Sequence, residues 1–257
     1  MNNIVIDTNF KSEVIKVVLK ANEEIMKIYL SEDFNIETKN DNTPVTLADL
    51  KAHKIITQEL KRLTPNIPIV SEEDPKSVFI EKEIKLYWLI DPLDGTKEFI
   101  KKSGEFTCNI ALIENNKPIY GFVGVPNSGI IYHGGKNMGS FKRINELKEL
   151  KIKCSLQKTP LRIIMSKSHI NNETLDYVNN IGEMYETVQA GSSLKFIRVA
   201  EGKADLYPRL GPTSEWDTAA AHAILEGAGG LVMQLNNEPL IYNKENILNP
   251  FFIAKGL

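Results

Sequence analysis

The sequence predicts a mixed α/β (α+β) fold, with an N-terminal half built on an antiparallel sheet and a C-terminal half of the α/β kind. Three observations predict it. Amphipathic helical stretches open the chain, two apolar runs flank a polar turn between Phe106 and Val125, and beyond Leu161 short strand-like and helix-like segments alternate. Alternation of that kind marks parallel strands joined by crossover helices.

Each element follows from local pattern. Over residues 11–30, Val14, Ile15, Val18, Ile25, Ile28 and Tyr29 recur at near-helical spacing with Lys and Glu between them, which reads as an amphipathic helix. A second helix is expected over 47–63, after the extended Asn42-Thr43-Pro44-Val45. It stops before Thr64-Pro65, because proline disfavours helical geometry in the preceding residue. The apolar runs 67–70 and 86–90 each end in acidic residues and read as strands that deliver carboxylates to their C-terminal ends. Glu114-Asn115-Asn116-Lys117-Pro118 between two apolar runs is hairpin grammar, and 130–133 adds a strand before Gly134-Gly135.

A lysine-rich connection, 145–158, is the expected boundary between subdomains 1–150 and 151–257 of a single unit. Beyond it, 161–165 and 184–189 read as strands, 172–180 and 193–201 as helices. A helix over 215–228 is closed by Gly229-Gly230, and strands over 231–235 and 251–254 complete the chain.

Composition narrows the function. The 257 residues carry 31 Lys+Arg against 33 Asp+Glu, a net charge of −2, so no global field is available to hold a nucleic acid polymer. A compact anionic substrate stays compatible, because a bound cation can supply locally what the net charge lacks. Cys108 and Cys154 stand in plain surroundings and read as free thiols in a reducing compartment. There is no basic leader with an apolar stretch and no run of bilayer length, so a cytoplasmic protein is expected, with peripheral membrane association left open.

The acidic turns carry the chemistry. In Asp91-Pro92-Leu93-Asp94-Gly95-Thr96 an apolar strand runs into two carboxylates on constrained backbone. Ordinary Asp-Gly turn chemistry and a hard-cation site both explain that segment. Ser71 and Asp74 fit a helix cap, which leaves Glu72 unexplained; Ser214 to Asp217 and Thr46 to Asp49 are capping boxes in their own right. Taken together, these carboxylates have no arginine beside them in sequence, since arginine occurs only at 62, 143, 162, 198 and 209. Convergence would require protonation or metal cations.

Glu72-Glu73, Asp91-Pro92-Leu93-Asp94-Gly95-Thr96 and Trp216-Asp217-Thr218-Ala219-Ala220, in that order, resemble the Mg²⁺-dependent, lithium-sensitive phosphatase superfamily of inositol monophosphatases and fructose-1,6-bisphosphatase. The resemblance spans about 41–230. Four further segments are similar to the 3'(2'),5'-bisphosphate nucleotidase branch, CysQ type: Thr43 to Asp49, Gly95-Thr96-Lys97-Glu98-Phe99, Ser166-Lys167-Ser168-His169, and Gly191-Ser192-Ser193-Leu194-Lys195-Phe196. Departures are small, Ser214-Glu215 before Trp216 and Ala221-His222 within the helix.

The resemblance implies a layered α-β-α-β-α sugar-phosphatase fold and two or more Mg²⁺ per site. It places Glu72, Asp91 and the Leu93 carbonyl on one ion and Asp91, Asp94 and Asp217 on a second. Asp49 with Thr96 would orient and deprotonate the attacking water. The phosphate would rest near Gly95 and Thr96, facing the ligands Glu72, Leu93, Asp94 and Asp217, and His169, Ser192, Lys195 and Arg209 would face the nucleotide. The implied reaction is hydrolysis of the 3'-phosphate of adenosine 3',5'-bisphosphate to AMP, by in-line transfer to water with inversion at phosphorus. No Gly-x-Ser-x-Gly elbow is present to support a serine nucleophile. An inositol phosphate or sugar bisphosphate phosphatase with the same metal chemistry is the alternative, and a noncatalytic nucleotide sensor is a rival of another class. The implied partner is a small nucleotide bisphosphate, for a monomer or homodimer.

Overall fold

Two amphipathic helices precede the first long strand, and their apolar faces decide where the sheet lies. A computed structural model describes residues 4–31, 34–38, 44–74, 76–77, 84–166 (except the Ser166 side chain) and 171–257. The first half runs α1 (Thr8–Ser31), β1 (Glu37–Thr38), β2 (Pro44–Val45), α2 (Leu47–Leu63), β3 (Ile69–Ser71), β4 (Leu86–Asp94), α3 (Thr96–Ile100), β5 (Thr107–Glu114), β6 (Lys117–Val125), β7 (Ile130–Gly135), β8 (Gly139–Asn145) and β9 (Lys148–Ile152). The second runs β10 (Leu161–Ser166), α4 (Asn172–Asn179), β11 (Tyr185–Ala190), α5 (Leu194–Ala200), β12 (Leu206–Arg209), α6 (Glu215–Gly227), β13 (Leu231–Gln234) and β14 (Phe252–Lys255).

Strands β3 to β9 form a seven-stranded sheet in sequence order, antiparallel except for the β3–β4 pair. Its two faces are read off the period-2 alternation of strand side chains. Trp88 and Ile90 of β4 pack with Ile110 and Leu112 of β5 against α1 and α2. Helix α2 presents Ala48, Ala52, Ile56 and Leu60 at four-residue spacing, all fully buried. Tyr87 and Leu89 of β4 turn to the other face and pack with α5 and α6. Because both faces are covered, β4 reads as a continuous apolar run rather than an alternating one.

The five-stranded sheet, in order β11-β10-β12-β14-β13, lies beyond α5 and α6, and α4 covers part of its far face through Val178 and the half-buried Tyr177. The layers are thus α-β-α-β-α. Strand β10 pairs in parallel with β11 and β12, as alternation predicts, but β14 runs antiparallel to both β12 and β13. The expectation of parallel strands concerns 161–201, where it holds; the last two strands, for which no direction is expected, run antiparallel to their neighbours. After β13 the chain returns through an irregular stretch instead of a crossover helix, so β14 enters from the opposite end. Strand β9 lies inside the segment read as a lysine-rich connection, and is exposed over Lys148 to Lys151. Its lysines suit a sheet edge, where charge discourages pairing with another chain.

The hairpin turn narrows to Asn115 and Asn116, both with positive φ, the requirement of a two-residue turn matched to strand twist. Cys108 and Cys154 are buried free thiols. Among the described residues, no helix is long and apolar enough to cross a membrane.

Helix α6 is buried nearly all round because it lies between two sheets, and small residues make that possible. A Cβ on Gly121 of β6 would fall 2.0 Å from the Ala220 carbonyl oxygen. Backbone on both sides leaves no flexible group to yield. Gly121→Ala is therefore expected to destabilise the fold at or above the top of the roughly 1–3 kcal/mol range for overpacking, as read by the shift of a urea unfolding midpoint. An unchanged midpoint would remove Gly121 as the contact that seats α6.

Candidate active site

Three elements end at one point. Strand β4 carries Asp91 and Asp94 across a bulge in its pairing with β5, and Pro92 sits at that bulge, where no ladder hydrogen bond is demanded of it. Its parallel neighbour β3 stops one residue short of Glu72, whose N–H still donates to the Ile90 carbonyl at 3.2 Å. Helix α6 brings Asp217 in its first turn, where Oδ2 accepts from the Ser214 N–H at 2.8 Å. As a result, ligand oxygens of Glu72, Asp91 and Asp217 lie within 4.8 Å of one another.

This convergence is electrostatically costly. Burial first, then the charges of Glu72, Asp94 and Asp217, push the Asp91 carboxyl well above the usual carboxylate range. Burial, followed by Asp94 and Glu72, does the same to Asp217. One oxygen of Asp91 accepts from the Leu93 N–H at 3.1 Å, while Oδ2 is buried with no hydrogen-bond partner. Orphaned buried carboxylate oxygen is rare because its desolvation goes uncompensated. The donor set suits a hard cation, since all the converging ligand atoms are oxygens and Asp91 Oδ2 has no other partner among the described residues.

Asp94 is held differently. Its Oδ2 accepts from Ser192 Oγ and the Ser193 N–H, both at 2.7 Å, with longer contacts from Asn109 Nδ2 (3.4 Å) and Thr107 Oγ1 (3.5 Å). Burial raises its pKa, and the neighbouring Lys195 ammonium works against that rise. Ser193 Oγ in turn donates to Asn109 Oδ1 at 2.9 Å, and Thr107 and Ser192 hydroxyls bond each other. Thr107 and Asn109 lie outside every motif quoted for the resemblance, and Ser193 lies in one without an expected role of its own. The available signal is two polar residues at alternate positions of an apolar strand, Thr107 and Asn109, which must share one face.

Asp49 serves two neighbours with two oxygens. Oδ2 closes the capping box, accepting from Thr46 N (2.7 Å) and Thr46 Oγ1 (2.6 Å). Oδ1 accepts from Thr96 Oγ1 at 3.1 Å, and the same hydroxyl lies 3.3 Å from the Leu93 carbonyl oxygen. Capping and a link to the acidic turn therefore coexist. Burial lifts the Asp49 pKa to about 6 against the lowering effect of the Thr46 bonds. Ser71 and Asp74 form a tight turn, Asp74 N donating to Ser71 O at 3.1 Å, while Ser71 Oγ lies 2.8 Å from His53 Nδ1.

Beside these carboxylates is a cavity of about 120 Å³ lined by Asp94, Gly95, Ser192, Lys195, Arg209 and Asp217, among others. Gly95 takes φ 90°, and Ser192 holds the left-handed φ of 52°, a conformation that costs a residue with a Cβ about 1–3 kcal/mol. Lys195, only 8% exposed, donates to the Ser192 carbonyl at 2.6 Å. Burial lowers its pKa to about 8, opposed by Asp94. Arg209 donates through Nη2 to the Pro212 carbonyl at 2.6 Å, and its Nε is buried without a partner. The lack of arginine beside the acidic turns holds only along the sequence. In space, Arg209 comes across from β12 and pulls the Asp217 pKa down, against the larger raising effects. His169 lies outside the described residues.

A profile of the inositol monophosphatase family matches residues 8–251. The chain belongs to the inositol monophosphatase family. Among curated relatives, a 3'(2'),5'-bisphosphate nucleotidase CysQ of Escherichia coli (strain K12) is 42% identical over 242 residues, 93% of this chain and 97% of the relative. One from Buchnera aphidicola is 40% identical over 256 residues, covering 95% of this chain and 93% of the relative. Among solved structures, CysQ from Bacteroides thetaiotaomicron, a bacterial member of the family, superposes with a TM-score of 0.86 at 38% identity, over 98% of both chains. Like that family member, this chain has the layered fold described above.

Repulsion among these carboxylates has a measurable consequence. Asp91→Asn removes a carboxyl that, without metal, must be either charged against Glu72, Asp94 and Asp217 or protonated, so the metal-free variant should melt above the wild type in EDTA. Wild-type protein should gain stability on adding Mg²⁺, about 2.7 kcal/mol at a concentration 100-fold above Kd, and the variant should gain none. A retained Mg²⁺-induced melting shift in Asp91→Asn, read by calorimetry, would remove Asp91 from the ligand set.

Proposed function

We propose that the protein is a Mg²⁺-dependent, lithium-sensitive phosphatase of bisphosphate nucleotides that converts adenosine 3',5'-bisphosphate to AMP and phosphate. The observation that carries this reading is the cavity that joins Asp94 and Asp217 to Lys195 and Arg209. Carboxylates able to hold divalent cations stand against donors for a further anionic group. The unpartnered Arg209 Nε is a donor of that kind, and its planar guanidinium suits a phosphate or a nucleobase face. Identity of about two-fifths to nucleotidases named CysQ supports the same choice over an inositol phosphate.

In this reading Glu72, Asp91, Asp94, Asp217 and the Leu93 carbonyl hold Mg²⁺. Bound there, the cation supplies positive charge for the phosphoryl oxygens and lowers the pKa of water. Thr96 Oγ1 orients the attacking water and passes its proton to Asp49 Oδ1, which the raised pKa brings nearer to neutral, where a general base works best. The water oxygen attacks phosphorus, the bond from phosphorus to the ribose 3'-oxygen breaks, and that oxygen leaves with the electron pair and takes a proton from solvent water to become the 3'-hydroxyl of AMP. Gly95 and Thr96 flank the phosphate, and Ser192, Lys195 and Arg209 face the nucleotide; His169 keeps its proposed place there by resemblance alone.

Subdomains 1–150 and 151–257 act as one unit, because Asp49, Glu72, Asp91 and Asp94 come from the first and Ser192, Lys195, Arg209 and Asp217 from the second. Buried free cysteines fit a reducing, cytoplasmic compartment.

Asp49→Asn keeps an acceptor for Thr46 and loses the proton acceptor for Thr96. It is expected to lower kcat by about 10²–10⁴-fold, with melting temperature and Mg²⁺ affinity close to wild type. Full turnover in the folded variant would leave Asp49 a helix cap and nothing more. For the substrate, phosphate release is to be compared for adenosine 3',5'-bisphosphate, inositol 1-phosphate and fructose 1,6-bisphosphate, with and without Mg²⁺ and Li⁺. The nucleotide should show the highest kcat/KM, require Mg²⁺ and be inhibited by Li⁺. A higher kcat/KM for inositol 1-phosphate would overturn the nucleotide assignment.

A further inference from the structure

The first turn of α6 carries a polar network that the reaction does not use. Residues 241–249 form no regular element, yet they cross the start of α6 and are tied to it at Ser214, Glu215 and Thr218, around Asp217. Glu215, 1% exposed, accepts through Oε2 from the Asn243 N–H (2.8 Å) and through Oε1 from the N–H (3.0 Å) and ammonium (2.5 Å) of Lys244. Lys244 Nζ also lies 3.3 Å from Asn249 Oδ1. The buried Asn249 donates through Nδ2 to the Ser214 carbonyl (2.8 Å) and to Thr218 Oγ1 (3.1 Å). Main-chain bonds finish the attachment, Glu215 N to Ile247 O at 2.9 Å and Asn249 N to Thr213 O at 2.8 Å.

Stability alone is a poor account of this arrangement. Desolvating a carboxylate and an ammonium offsets most of their attraction, and apolar side chains of similar volume commonly stabilise as well or better. Glu215 is moreover a further buried carboxylate two residues from Asp217, so without Lys244 it would add to the repulsion there. What the network does supply is position. Residues 214, 215 and 218 are all fixed from outside the helix, and Asp217 lies among them with its Oδ2 on the Ser214 N–H.

We infer that Glu215, Lys244 and Asn249 are positioning residues that hold Asp217 in register with Glu72 and Asp91, and so set the affinity of the site for its divalent cation. This rests on the metal reading of those three carboxylates. A cation gains full charge stabilisation only if its ligands are already in place, and outer partners that orient ligands typically govern affinity about 10–100-fold.

The test is Mg²⁺ binding by isothermal titration calorimetry on the full chain, with circular dichroism to check folding. The double variant Glu215→Gln/Lys244→Met removes both charges without orphaning either, and Asn249→Ala breaks the second arm of the network. Each should raise the Kd for Mg²⁺ about tenfold or more, with kcat recovering at saturating Mg²⁺, while Lys244→Arg stays near wild type. An unchanged Kd in folded double variant and Asn249→Ala, with only the melting temperature lowered, overturns the inference and leaves the network structural. Absence of Mg²⁺ binding in wild-type protein overturns the metal reading itself, a distinct result; loss of binding in Asp217→Asn supports that reading independently.

Discussion

Repulsion among closely held carboxylates, with Asp91 buried and Glu72 and Asp217 half-buried, is the constraint around which this molecule is arranged. Glu72, Asp91 and Asp217 are brought within 4.8 Å by elements that have no reason of their own to meet there. A parallel pair, β3 and β4, sets the first two side by side at the edge of an otherwise antiparallel sheet. The third arrives on a helix that can lie between two sheets because Gly121 and a run of alanines keep the layers close. Packing energy spread over both cores holds the carboxylates together, which is how a marginally stable fold can maintain a locally unfavourable cluster.

The positive charge placed against that cluster is sparse and well chosen. Lys195 and Arg209 both come from the C-terminal half, and both are held by main-chain carbonyls, of Ser192 and Pro212 respectively, with no ion pair of either among the described residues. Their charge is therefore free to act on the cavity. They offset the carboxylates incompletely, since Asp94 and Asp217 remain shifted upward in pKa with these cations nearby. A near-neutral composition of 31 against 33 hides this local imbalance, because charge elsewhere on the chain, including exposed pairs such as Lys16–Glu13 and Lys27–Glu24, averages it out.

What the sequence makes legible follows the range of the physics. Helix α2 lies where its four-residue apolar spacing and flanking turns place it, because capping and periodicity are local. The lysine-rich strand β9 escapes such reading, since an edge strand exposed on its surface has little apolar alternation to show. The direction of β14 escapes for another reason: it depends on how an irregular return crosses the fold, which no window of residues encodes. The same division runs through the site. Acidic turns stand out one at a time, whereas their convergence comes from the family resemblance and not from spacing. Glu215 and Lys244 are 29 positions apart, so neither gives any sign of the other in sequence.

Local rules are broken in several places, and the breaks coincide. A serine holds a left-handed backbone at Ser192, a carboxylate oxygen of Asp91 and a guanidinium nitrogen of Arg209 are buried without partners, and the ammonium of Lys195 is desolvated. All four residues lie in or against one cavity of about 120 Å³. Two larger cavities, about 510 and 520 Å³, lie on the α4 face of the C-terminal sheet and beside the far end of α6, without comparable convergence. Size is therefore a weaker guide to function here than unsatisfied chemistry. Consistency between local preference and global fold is what selects a single structure, so a concentrated departure needs a cause beyond folding. The proposed polyanionic ligand with divalent cations would resolve these departures together, with cations for the carboxylates and anionic oxygens for Lys195 and Arg209.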